Sequence, residues 1–95
     1  ALKSVGVRTV VGVSATGSLR EGLKPGDLAL PSQYIDFTRG GRAASFFGNG
    51  VVAHVSTARP TCAATARLIA DCAAGLGFPI HVEQTYACVE GPRLG

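Results

Sequence analysis

Residues 9–27, TVVGVSATGSLREGLKPGD, decide how the rest of the chain is read. Thr9, Val10, Val11 and Val13 form a short uncharged run rich in β-branched side chains, the composition of a strand covered on both faces of a parallel sheet. The run predicts a central strand over 9–14. It stops at Ser14-Ala15-Thr16-Gly17-Ser18, five small residues that leave the backbone open to close approach. In open α/β sheets ligands gather beyond the carboxyl ends of the strands, so a small, hydroxyl-bearing loop there is a candidate cradle for an anion. A tight strand exit with no ligand is the competing explanation of the same residues.

Outward from this stretch, Ala1 to Gly6 reads as the last turn of a helix stopped by Gly6. Leu19 and Leu23 offer apolar anchors across a polar turn holding Arg20 and Glu21, to which an ion-pairing or turn-stabilising role is assigned. Pro25-Gly26-Asp27 is a turn, because proline presets φ at one position and glycine is free at the next. A second strand is expected over 27–30, ended or placed at an edge by Pro31, and a further short one over 33–37. The stretch 38–49, TRGGRAASFFGN, is expected to be a long loop with Arg39 and Arg42 exposed; its adjacent Phe46 and Phe47 argue for docking on something such as a neighbouring subunit.

Arg59-Pro60-Thr61 opens the clearest helix, with Ala64, Leu68, Ile69, Cys72, Ala73 and Leu76 spaced by threes and fours as a core stripe and Gly75 and Gly77 marking its end. Strands are expected over 78–82 and 85–89, with a hairpin at Glu83-Gln84 between them. His81 reads as a surface strand residue and receives no role. The order β, β, loop, α, β, β gives an α/β class without internal repeats.

Composition narrows the possibilities. The net charge of +3 comes from nine basic residues that form no run, so a sequence pI near 9.1 calls for no polyanion such as a nucleic acid. Hydrophobic residues make up 46% of the chain, enough for a small core in 95 residues, yet no apolar run nears the roughly 20 residues of a membrane span. Cys62, Cys72 and Cys88 are odd in number and lack metal-ligand spacing, which favours free thiols packed in a core and a reducing cytoplasm. The chain opens without Met on a helix end and closes just after Glu90-Gly91-Pro92-Arg93, so both ends read as cut. Residues 1–95 are therefore expected to be an internal part of one larger domain.

The run S-A-T-G-S-L-R-E at 14–21, K-P-G-D at 24–27, Phe46-Phe47-Gly48-Asn49-Gly50, His54 and Glu90-Gly91-Pro92-Arg93 together resemble the signature of 5'-methylthioadenosine phosphorylases, the trimeric branch of the purine nucleoside phosphorylase family. The resemblance implies a partial phosphorylase-like mixed sheet with a flanking helix, taken from the interior of one nucleoside phosphorylase domain. It implies phosphorolysis of 5'-methylthioadenosine to adenine and 5-methylthioribose 1-phosphate in purine and methionine salvage. Inorganic phosphate is then a co-substrate, no metal or other cofactor is needed, and the partners are the nucleoside and further subunits of a trimer. Such a reaction needs donors for an anion, a clamp on the ribose and a proton source or hydrogen-bond partner for the departing base.

By the same resemblance Ser14 binds phosphate through its hydroxyl and Ala15 through its backbone N–H, while Thr16 and Gly17 line the purine side. His54 lies by the 5'-substituent near a subunit interface; from the residues alone it is a satisfied histidine near a core edge. Glu90 borders the substrate crevice, Leu94 stands where relatives often have a stacking Phe, and Gly95 where they have Ser or Glu, so side-chain contact to the base is lost at that position. Ser14 replaces a common Thr and keeps the hydroxyl. The alternatives are a purine nucleoside or methylthioinosine phosphorylase, although that branch tends to carry Gly-Gly in place of Gly17-Ser18, or a non-catalytic nucleoside- or phosphate-binding fragment. No catalytic residue is assigned, because the family's glycine-rich phosphate loop, Arg-His pair, Met-Thr segment and Asp-x-Asp loop have no counterpart in these 95 residues, which alone are expected to be inactive.

Overall fold

The computed structural model describes residues 1–40 and 45–91. Its elements are a 3₁₀ turn at Leu2–Val5, strand β1 at Leu28–Asp36, helix α1 at Ala63–Gly75 and strand β2 at Ile80–Cys88. β1 and β2 pair in parallel, with α1 as the crossover packed against β2. This β-α-β unit gives the chain its α/β class: parallel neighbours cannot be joined by a hairpin, and a helix is the usual connection.

The 3₁₀ turn ends as the sequence predicts. Gly6 takes φ 90°, left-handed, and its N–H reaches back to the carbonyl of Lys3 at 3.1 Å. Beyond it the expected strand over 9–14 does not form. An interior strand of a parallel sheet draws on hydrogen-bond ladders at both sides, and β1 and β2 pair only with each other among the described residues. Pro31, in mid-β1, also lacks the N–H that a further ladder would use. The segment therefore runs irregularly, with Val10, Val11 and Val13 exposed at 67%, 57% and 92%.

The two short strands expected over 27–30 and 33–37 are one strand, and Pro31 neither ends nor interrupts it. The ladder accommodates proline by slipping twice: β2 gains a residue between Ala29 and Pro31, and β1 recovers it between Pro31 and Gln33. Glu83 absorbs the extra residue at φ 55°, so the hairpin expected at Glu83-Gln84 is a bulge and the strands expected over 78–82 and 85–89 are also one. Restored register sets Tyr34 beside Tyr86 and Asp36 beside Cys88.

α1 begins two residues later than Pro60-Thr61 suggests, with Cys62 in extended geometry as its N-cap and the Ala66 N–H closing on the Cys62 carbonyl at 3.0 Å. Its end is a Schellman motif. Gly77 at φ 76° donates to Ala74 at 3.2 Å and Phe78 to Ala73 at 3.0 Å. The expected core stripe is rotated. Thr65, Ala66, Ile69 and Ala70 are half-buried and Ala73 alone is buried, at 5% exposure, whereas Ala64, Leu68, Cys72 and Leu76 face solvent. A helix against one strand covers one narrow face, and small residues on that face permit close approach. The three cysteines are free but exposed, so core packing does not explain them.

Candidate functional site

Short-range bonds shape the small-residue loop more at its exit than at its start. The Ser18 hydroxyl donates to the Arg20 carbonyl at 2.7 Å and accepts the Arg20 N–H at 3.1 Å, closing a tight local turn. Leu23 N–H then reaches the Arg20 carbonyl at 3.2 Å. The guanidinium of Arg20 donates through Nη1 to Oε1 of Gln84 at 2.9 Å, tying this turn to the bulged part of β2. Gln84 in turn donates to the Val82 carbonyl at 2.7 Å. Arg20 is thus a tether with a turn-stabilising role, as its sequence context suggests.

Ser14, Ala15, Thr16 and Gly17 lie just before this turn on irregular, exposed backbone, where none of the described residues covers them. His54 lies on a second irregular exposed stretch between Gly50 and α1. No hydrogen bond among the described residues joins Ser14, Thr16 or His54 to one another or to Glu90. Leu94 and Gly95 lie outside the described residues, as do Pro92 of the expected Gly-Pro turn and Arg42, for which exposure is expected.

Two clefts open beside the amino-terminal stretch. One of about 450 Å³ runs between residues 8–12, Leu30 and Pro31 of β1, and the Thr65, Ala66 and Ile69 face of α1. The other, about 780 Å³, lies between the 3₁₀ turn, Val10 and Phe46. Neither is lined by Ser14 to Gly17, His54 or Glu90.

The carboxyl ends of β1 and β2 are where carboxylates organise the backbone. Asp36, the last residue of β1, accepts the Thr38 N–H at 2.8 Å and the Thr38 hydroxyl at 2.6 Å. The Thr38 hydroxyl, then its N–H, hold the Asp36 carboxyl below the ordinary carboxylate range. Phe37 N–H continues the ladder to the Cys88 carbonyl at 2.9 Å. Two residues past β2, Oε2 of Glu90 accepts the Arg39 N–H at 2.9 Å.

At the opposite end of the pair, Nε2 of His81 meets Oδ2 of Asp27 at 3.0 Å, and the Lys24 N–H donates to the same carboxylate at 3.2 Å. The His81 hydrogen bond first, and the Lys24 amide second, depress the Asp27 carboxyl. Sequence reasoning gave His81 no role. The pairing of Ala29 with His81 places Asp27, two residues earlier, on the same face as the imidazole, a proximity legible only once the register is known. At the start of α1 the Thr65 hydroxyl, then the N–H groups of Thr65 and Ala64, lower the Cys62 thiol. No group of three or more His, Cys, Asp or Glu poised to hold a metal occurs among the described residues. Among them too, no helix is long and apolar enough to cross a membrane.

A parallel β-α-β unit with an acidic residue just beyond the carboxyl end of β2 defines a chain of the α/β class. The family model of the Phosphorylase superfamily matches residues 1–95, and the chain belongs to that superfamily. Among curated relatives, it is 50% identical over 94 residues to the S-methyl-5'-thioadenosine phosphorylase of Hyperthermus butylicus, covering 99% of this chain and 34% of the relative. The enzyme of that name from Thermococcus kodakarensis is 48% identical over 94 residues, covering 99% and 36%. That from Cereibacter sphaeroides is 50% identical over 94 residues, covering 99% and 32%. The chain spans about a third of the length of the curated relatives it matches.

Proposed function

We propose that the chain is part of a methylthioadenosine phosphorylase, residues 1–95 forming an interior portion of its single nucleoside phosphorylase domain. The observation that carries this reading is identity near 50% along almost every residue to several relatives bearing that one name. In the reaction a phosphate oxygen bonds to the anomeric carbon of the nucleoside as the bond from that carbon to the purine nitrogen breaks. The bonding pair leaves with adenine, which takes up a proton, and 5-methylthioribose 1-phosphate remains. Enzymes favour such a step with donors aimed at the anion and at charge that grows in the transition state.

In this reading the Ser14 hydroxyl and the Ala15 N–H donate to phosphate. Thr16 and Gly17 face the purine, His54 borders the 5'-substituent, and Glu90, Leu94 and Gly95 edge the base side of the same crevice. The openness of Ser14 to Gly17 supports this, since an anion reaches those donors without displacing packed side chains. The assembly is a trimer and the setting cytoplasmic nucleoside and methionine salvage.

Turnover of methylthioadenosine, methylthioinosine and inosine by the full-length protein tests the assignment. Methylthioadenosine is expected to give the highest kcat/KM; equal or faster turnover of inosine rejects it. Binding of phosphate and methylthioadenosine without any release of adenine supports a non-catalytic binding role instead.

A further inference from the structure

Beyond β1 and β2 the chain is strapped together by side-chain-to-backbone bonds that the substrate assignment does not use. Parallel strands leave their carboxyl ends side by side, and here those ends are Asp36 and Cys88. From that point three successive residues of the outgoing β1 loop are held. Phe37 is bonded to the Cys88 carbonyl, Thr38 is gripped twice by Asp36, and the Arg39 N–H is taken by Glu90 across the gap between strands. Glu90 is 51 residues from Arg39 in sequence, so this bond is tertiary and ties two loops that leave the sheet separately. Its Oε2 is occupied by main chain.

We propose that Glu90 is a positioning residue: with Asp36 it clamps the backbone of 37–39 and so sets the direction in which the β1 loop leaves for the substrate crevice. What the clamp requires of residue 90 is an acceptor oxygen at that place, not a charge or a transferable proton. A group that contacts the base directly as an acid or base requires the ionisable carboxyl itself. The role in substrate binding rests on the phosphorylase reading, whereas the clamp does not.

The two requirements separate in three variants of the full-length protein. Glu90→Gln keeps a carbonyl oxygen for the Arg39 N–H, Glu90→Ala removes it, and Asp36→Ala releases Thr38. Hydrogen exchange on peptides spanning 37–40 reads the clamp with or without activity. Steady-state kinetics with methylthioadenosine read its consequence. Glu90→Ala is expected to exchange about 3- to 10-fold faster at Arg39 and Asp36→Ala at Thr38, the range for losing one modest net hydrogen bond, and both to raise KM by a similar factor with a smaller change in kcat. Glu90→Gln, which keeps an acceptor oxygen for the Arg39 N–H, is expected to hold exchange at Arg39 within about 2-fold of the parent.

Unchanged exchange at Arg39 in Glu90→Ala overturns the clamp. A loss of kcat in Glu90→Gln as large as in Glu90→Ala, with an altered pH profile, overturns it in favour of direct chemistry by the carboxyl. Faster exchange without a rise in KM overturns the link to the crevice. If the parent phosphorolyses no nucleoside at all, the functional reading fails while exchange at Arg39 still decides the clamp.

Discussion

Two glycines at the end of α1, two residues apart, are expected to respond to the same substitution with opposite signs. Gly77 sits at φ 76°, where it lets the chain turn out of the helix and supplies one of the two Schellman bonds. Gly75 is the last residue of α1 and carries no positive φ. A Cβ added at either position meets nothing within 4 Å, so steric clash plays no part and the backbone conformation alone decides. Gly77→Ala is expected to cost about 1–2 kcal/mol, the penalty for an L-residue in the left-handed region. Gly75→Ala is expected to stabilise by roughly 0.5 kcal/mol, because alanine restricts the unfolded chain and the native conformation already suits it. The gap between the variants is then about 1.5–2.5 kcal/mol from one methyl group. Urea unfolding of the full-length variants at fixed protein concentration measures it, and an unchanged denaturant slope certifies the comparison. Equal destabilisation by both substitutions, or none by Gly77→Ala, refutes the Schellman termination of α1.

Three further outcomes are expected. On the proposed function, Ser14→Ala in the full-length protein is expected to weaken phosphate by about 1.5–3 kcal/mol, the worth of one hydrogen bond to a charged group, seen as a raised KM for phosphate; an unaltered phosphate dependence removes Ser14 from the site. Asp27 is depressed in the folded state by His81, so its stabilising contribution is present in full above the ordinary aspartate value of 3.8 and disappears as pH falls below it through the lowered folded value. Acid titration of stability should therefore show Asp27→Asn less stable than the parent above that window and converging on it below; parallel curves through the window contradict the pairing. Cys62, lowered by Thr65, is expected to alkylate with iodoacetamide at lower pH in the parent than in Thr65→Val, by mass spectrometry of its peptide; equal rates in the two would show that the helix start does not favour the Cys62 thiolate.

Local signals in the sequence located what local physics controls. Gly6 and Gly77 stop their turns because only glycine adopts positive φ at little cost, and that reads directly from residue type. The helix was legible from its spacing, yet its buried face was not. An apolar stripe tells which residues can be covered, while the packing partners decide which are, and here Thr65, Ala66, Ile69, Ala70 and Ala73 are covered whereas Leu68 and Leu76 are not. Along the chain Pro31 and Glu83 read as interruptions, because a bulge that lets a strand continue depends on a pairing partner about 50 residues away. The same limit hid Asp27 with His81 and Glu90 with Arg39. Each pair meets through the β1–β2 register, which no window along the chain contains. The valine-rich run at 9–14 is the converse: its composition fits an interior strand, but ladders, not composition, make one.

The account stands or falls on whether phosphate is consumed as the nucleoside is cleaved. Incubating the full-length protein with methylthioadenosine and limiting phosphate, and measuring adenine released against phosphate lost, tests this most directly. One adenine for each phosphate taken up, with no release when phosphate is withheld, is the predicted result. Adenine released at the same rate without phosphate, or none under either condition, contradicts it.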